Sequence, residues 1–191
     1  MKAFHVNSTQ PSRSYDVNGQ GGKKSEYIIE DFDILTTILS ALKWRQHNGS
    51  IKMYTDKIGK EYYDKIGISH IWDRGIDVDV LESADNNINA NVFWAFGRIF
   101  VLRKETAPCT LLDTDLIVWD SISHLINAKL MALHSEPLGL KVYVPKAGLQ
   151  TPPEFVWDDL DWTVSPCNAA VLHYGANKIK NYFSELKMET K

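Results

Sequence analysis

The amino-acid sequence predicts an α/β chain, a three-layer sandwich with helices on both faces of a mostly parallel central sheet. Three observations carry that expectation. Apolar runs of strand length alternate with stretches in which apolar residues recur every three or four positions. Several runs end abruptly in polar residues, at Asn7-Ser8, Asp56 and Asp113-Thr114-Asp115. Cys109-Thr110-Leu111-Leu112 has no helical period and suits a strand covered on both faces.

Taken in order, Ala3-Phe4-His5-Val6 reads as the first strand, opening into a loop at Asn7-Ser8. Residues 9–25 are rich in Ser, Gly, Asn, Gln and Lys and read as a loop, without the glycine patterns that cradle phosphate. Phe32, Leu35, Ile38, Leu39 and Leu42 predict an amphipathic helix from Asp31, ending near Asn48-Gly49. Ile51 to Thr55 alternates as a strand does. A second helix is expected over 60–65, closed by Gly67, and a short strand at His70-Ile71-Trp72. The asparagine-rich residues 82–91 read as a loop. Phe93, Phe96, Ile99, Phe100 and Leu102 suit a helix with a bulky buried side. Met131-Ala132-Leu133 and Ala169 to Leu172 are further strand candidates. Residues 145–166, with Pro145, Pro152, Pro153 and Pro166, read as irregular, and 176–188 as a closing helix through Ile179, Tyr182, Phe183 and Leu186.

These elements make one domain over residues 1–191. Apolar residues at 44% and charged residues at 24% match an ordinary globular chain. No apolar run approaches the ~20 residues of a membrane span, and MKAFHVNSTQ does not read as a leader. A cytoplasmic protein is expected. The net charge of -3 lacks the basic footprint of nucleic-acid binding. A phosphate ligand would need local groups or a metal, because the overall field does not attract it. Cys109 and Cys167 are too few to staple the chain and read as reduced thiols, with no cysteine–histidine cluster at zinc spacing.

Asp113 and Asp115 are the most informative residues. In extended backbone, residues two apart share a face, so both carboxylates are held together at the end of a buried strand. Left alone they repel, and one takes up a proton. A hard divalent cation removes the conflict, and two oxygen ligands with open positions suit Mg²⁺ or Mn²⁺ shared with substrate phosphates. The acids lie between Leu111-Leu112 and Leu116-Ile117-Val118-Trp119, which argues against surface decoration.

Trp94-Ala95-Phe96-Gly97-Arg98-Ile99, then Thr110-Leu111-Leu112-Asp113-Thr114-Asp115-Leu116-Ile117-Val118, then Asp120-Ser121-Ile122 and Leu125, resemble the central block of GT-A glycosyltransferases. There, a helix bearing a basic residue leads to a strand ending in a DxD motif. Asn168-Ala169-Ala170-Val171-Leu172 is similar to the asparagine-led strand of the same enzymes, and the layout resembles uncharacterised bacterial glycosyltransferase-like proteins. The resemblance implies that Asp113 and Asp115 bind Mn²⁺ or Mg²⁺ with the diphosphate of a UDP- or GDP-linked sugar. Thr114, between them in the same motif, would bind substrate with them. Arg98 would contact the donor, Asn168 the sugar or acceptor hydroxyls, and Asn7-Ser8 the base and ribose. The acceptor would be a glycan or a lipid-linked hydroxyl. The sequence departs from the family at Ala170, where a glycine is usual. It also reaches Lys191 without the C-terminal histidine motif of many metal-dependent members, so a C-terminal portion of the pattern is missing; His173 is the nearest candidate third metal ligand.

An acceptor-side base is sought in Trp157-Asp158-Asp159-Leu160-Asp161-Trp162, where tryptophan faces suit sugar rings; Asp159 and Asp161 are the candidates. Two rival readings remain. One is a non-catalytic nucleotide-sugar or glycan-binding module of the same fold. The other is a phosphatase with Asp113 as nucleophile, using Lys146 and Asp158-Asp159. Such a strand usually opens its fold, whereas here a long α/β pattern precedes it.

Overall fold

The computed structural model describes residues 1–10, 27–84, 95–139 and 161–176. Six strands form one open sheet: β1 (Ala3–Asn7), β2 (Ile51–Thr55), β3 (Ile76–Asp77), β4 (Cys109–Leu112), β5 (Leu130–Ser135) and β6 (Cys167–Tyr174). Their spatial order is β3-β2-β1-β4-β6-β5. The pairs β1–β2, β1–β4 and β2–β3 are parallel, while β6 is antiparallel to β4 and β5. The sheet is therefore mixed. The expected parallel order holds through β4, and the exception is β6, whose direction its apolar run cannot encode.

Among the described residues, the helices are α1 (Asp31–His47), α2 (Lys57–Lys65), α3 (Asp79–Glu82) and α4 (Phe96–Lys104). One buried cluster joins Ala41 and Trp44 of α1 and Tyr63 of α2 to Ala3, Ile51, Met53, Leu112 and Val171 of the sheet. A second joins Leu81 of α3 and Val101 of α4 to Phe4, Tyr54, Leu111 and Tyr174. Alternate strand residues thus feed opposite faces, and helices cover both.

The change of face follows a change of winding direction. From β1 the chain steps outward to β2 and β3, then returns to put β4 on the other side of β1. Right-handed crossovers accordingly send α1 and α2 to one face and α3 and α4 to the other. The reversal opens a crevice at the carboxyl ends of β1 and β4, where open α/β sheets bind ligands.

α1 spans the predicted residues, with Asn48 as its C-cap and Gly49 beyond at φ 122°. Its buried face differs from the predicted one. Thr37, Ser40, Ala41 and Trp44 face inward, while Phe32 is 72% and Leu35 65% exposed. Of the predicted stripe, Ile38 packs against the core and Leu42 points outward. Small residues at 40 and 41 let the helix approach the strands closely, and Ser40 finds polar partners there. Size and hydrogen bonding outweigh side-chain hydrophobicity.

α2 starts at Lys57, earlier than expected, because Asp56 caps it by accepting from Gly59 N at 2.9 Å. The strand expected at His70-Ile71-Trp72 is instead a 3₁₀ turn, Ser69–Ile71. Ile71 and Trp72 are apolar because they fill the core, not because they pair in the sheet. β4, β5 and β6 contain the predicted apolar runs. The helix expected from Phe93 begins at Phe96. Most of the expected loop over 9–25, most of the one over 82–91, most of the irregular segment 145–166 and all of the closing helix after Ala176 lie outside the described residues. No helix among the described residues is long and apolar enough to cross a membrane. Cys109 is buried and Cys167 exposed.

Candidate functional site

β4 is buried throughout and gives way after Leu112 to a turn closed by Leu116 N donating to Asp113 O at 3.2 Å. Asp113 N still donates to Ala170 O of β6, at 2.8 Å, which anchors the first acid to the sheet. Ala3 pairs with Thr110 and Phe4 with Leu111; continued, that register sets Val6 beside Asp113 and Asn7 beside Thr114. β1 and β2 end together, Asn7 opposite Thr55. The polar strand ends therefore share one edge.

A cavity of about 630 Å³ opens there, lined by Asn7, Tyr27, Tyr63, Arg98 and Asp113-Thr114-Asp115, and on the α1 side by Glu30, Asp33 and Thr36. Asn7 Nδ2 donates to the phenol oxygens of Tyr27 at 2.7 Å and Tyr63 at 2.5 Å. Tyr63 is itself wedged against Trp72, ring centroids 4.9 Å apart. Burial raises the pKa of both phenols, so they remain protonated at neutral pH.

Arg98, from α4, forms an ion pair with Asp113. Burial nevertheless raises the Asp113 carboxyl above its ordinary range; Arg98 pulls it down and the Asp115 charge adds to the rise. Desolvation thus outweighs the ion pair, and the half-buried carboxylate gains from any further positive charge. Four carboxylates, of Glu30, Asp33, Asp113 and Asp115, line the cavity with one guanidinium. Among the described residues no three His, Cys, Asp or Glu side chains group as a metal cage. Asp113 and Asp115 sit in a turn rather than in the extended backbone expected of them, yet both line this cavity; two carboxylates there suit a hard cation that takes its other ligands from phosphate and water, as Mg²⁺ and Mn²⁺ do.

The other expected residues are distributed differently. Ser8 lines a second cavity, of about 320 Å³, with Lys57, Leu81, Glu82 and Phe96. Adjacent strand residues face opposite sides of a sheet, which separates it from Asn7. Asn168 lies at the same end of the sheet as the acids because β6 is antiparallel. Its amide, however, donates to Glu136 at 3.0 Å and accepts from Ala170 N at 3.0 Å. His173 pairs in register with Thr110, three residues before Asp113 and ~10 Å back along the strand. It is buried, its Nδ1 lying 3.0 Å from the Thr110 hydroxyl. Asp161 is exposed and accepts from Thr163 N at 2.9 Å and Oγ1 at 2.6 Å, bonds that lower its pKa. Asp159 lies outside the described residues. Tyr27, Tyr63, Glu30 and Asp33 carry no motif that would single them out; their place depends on contacts between distant residues.

Fold and cavity together define an α/β domain with an acidic pocket where the order of its strands reverses. Residues 17–188 match a family described as "Family of unknown function (DUF6734)", and the chain belongs to that family. A comparison with curated proteins finds no match.

Proposed function

We propose that this protein is a metal-dependent glycosyltransferase of the GT-A type. It would move a sugar from a UDP- or GDP-linked donor to a hydroxyl on a glycan or lipid-linked acceptor, in the cytoplasm. The supporting observation is the meeting of Asp113-Thr114-Asp115, Arg98 and Asn7 around one cavity at the carboxyl ends of β1 and β4. Its volume suits a small-molecule ligand. Asp113 and Asp115 would hold Mn²⁺ or Mg²⁺ against the donor diphosphate, and the metal would supply Lewis-acid stabilisation of the leaving nucleoside diphosphate. Arg98 presents a planar fork suited to phosphate oxygens. Asn7, fixed between two phenols, would meet the base or ribose.

A second reading, a nucleotide-sugar or glycan-binding module of the same fold, draws on Asp161. Its carboxylate serves its own turn, away from the cavity lining.

The test is calorimetric titration of UDP and GDP, with and without Mn²⁺, into the wild type and Asp113→Ala/Asp115→Ala. Mn²⁺-dependent binding that the folded double variant loses is expected; no binding of either nucleotide would overturn the reading. Sugar transfer or donor hydrolysis then separates enzyme from binding module. Phosphate release from simple phosphoesters would favour an aspartate-nucleophile phosphatase instead.

A further inference from the structure

We propose that Ser40 is a positioning residue for the Asp113/Asp115 pair, holding the turn on which both carboxylates ride; this rests on the metal-site reading above. Ser40 is fully buried on the sheet-facing side of α1. Its Oγ lies 2.5 Å from Leu116 O and 3.5 Å from Asp113 O. Those carbonyls bracket the turn, and the single hydroxyl proton goes to the nearer one. Asp113 N on Ala170 O fixes the start of the turn, and Ser40 fixes its far end. Lower on α1, Asn48 secures the next stretch, donating to Asp120 O at 3.2 Å and accepting from Ile122 N at 2.8 Å. One helix and its C-cap thus hold the loop after β4 as far as Ile122.

The Ser40 hydroxyl is itself aimed by two buried groups. The indole N–H of Trp72 donates to His5 Nδ1 at 3.2 Å. An indole nitrogen can only donate, so Nδ1 is the acceptor and the neutral imidazole carries its proton on Nε2. That proton faces Ser40 Oγ at 3.1 Å. Ser40 accepts from His5 and keeps its own proton for Leu116. Each donor is used once, in one direction, from Trp72 through His5 and Ser40 to the acidic turn. His5 and Ser40 are fully buried and Trp72 is 2% exposed. Such a chain keeps its geometry only if every member is satisfied.

The experiment titrates Mn²⁺ alone into the full chain by calorimetry, for wild type, Ser40→Ala, Trp72→Phe and Ala41→Gly. Second-layer partners of metal ligands typically govern 10- to 100-fold of affinity, so Ser40→Ala is expected to bind Mn²⁺ at least about tenfold more weakly. Trp72→Phe keeps the ring but removes the donor that orients His5, and shifts affinity in the same direction by less. Ala41→Gly loosens the same helix without touching the turn and binds as the wild type does. Equal affinity in wild type and Ser40→Ala overturns the positioning role alone, as does an equal loss in Ala41→Gly. If Ser40→Ala does not fold, Trp72→Phe decides, and an unchanged affinity there overturns the role. A wild type that binds no Mn²⁺, either alone or with UDP or GDP present, overturns both this inference and the metal-site reading.

Discussion

Acidification should destabilise this protein through His5, beginning as pH falls through 6.5. His5 is fully buried, and burial holds its pKa at about 3 against an ordinary 6.5. The unfolded chain takes up the proton as pH falls through 6.5, whereas the native state refuses it until about 3. The stability that neutral His5 confers is therefore complete above pH 6.5 and is lost progressively below it. The slope is about 1.4 kcal/mol per pH unit. Between pH 6.5 and 4.5 that amounts to roughly 2–3 kcal/mol, a large share of the ~5–15 kcal/mol of a typical domain. The assay is urea unfolding from pH 7.5 to 4.5, comparing the wild type with His5→Gln. Glutamine offers one acceptor to Trp72 and one donor to Ser40 but does not titrate. Asp77 and Glu105 oppose no part of the comparison. Burial works against ionising both, yet hydrogen bonds and lysine partners lower them, so their contributions fade only in stronger acid and in both proteins alike. The wild-type curve should fall away from the variant's below pH 6.5. Parallel curves down to pH 4.5 would refute the assignment of a buried, neutral His5.

Two further perturbations test how the two ends of the sheet are built. Asp56 caps α2 through Gly59 N at 2.9 Å and also accepts from Thr9 N at 2.8 Å and Thr9 Oγ1 at 2.7 Å. Asp56→Ala should cost about 2–4 kcal/mol in denaturant unfolding, because a cap is lost and buried donors are orphaned; a loss under ~1 kcal/mol would contradict that role. Gly49 has φ 122°, and a Cβ there would stand 2.5 Å from Met1 O. Gly49→Ala should destabilise by about 1–3 kcal/mol and lower Tm, and an unchanged Tm would show that the connection relaxes freely.

Much of the fold is legible because short strands announce themselves by where they stop. β2 is an alternating run closed by Asp56, and β4 an unbroken apolar run closed by Asp113. The ends of α1 are equally plain, but its orientation is not. Periodicity ranks positions by polarity, whereas the sheet selects Ser40 and Ala41 for their size and, at Ser40, for a hydrogen bond. His5 looks like a polar interruption of Ala3–Val6, yet it sits at the centre of the core. Its partners Ser40 and Trp72 lie 35 and 67 residues away, a separation no local pattern reveals. The site follows the same rule. Asn7, Asp113 and Asp115 could be placed because strand ends in such sheets converge. Tyr27 and Tyr63 could not, since they reach Asn7 across 20 and 56 residues. Ser8 shows how a correct strand end can still mislead, because the pleat turns neighbouring residues toward different cavities.

The acidic pair is held from both sides of the sheet. Arg98 reaches it from α4, in the layer packed on Leu111, and Ser40 reaches its turn from α1, in the layer packed on Leu112. Neither layer alone defines the positions of Asp113 and Asp115. Burial of Asp113, with the Asp115 charge adding to it, also leaves a residual cost, visible in the raised Asp113 carboxyl, that the Arg98 guanidinium does not cancel. A cation bound there would relieve that cost only while both helices remain docked. Its binding energy should then appear as stability of the whole sheet, rising with free ligand as RT ln(1 + [L]/Kd). Ser40 joins the site to the core around His5 by hydrogen bonds to both, so a ligand that occupies the first should also protect the second from acid.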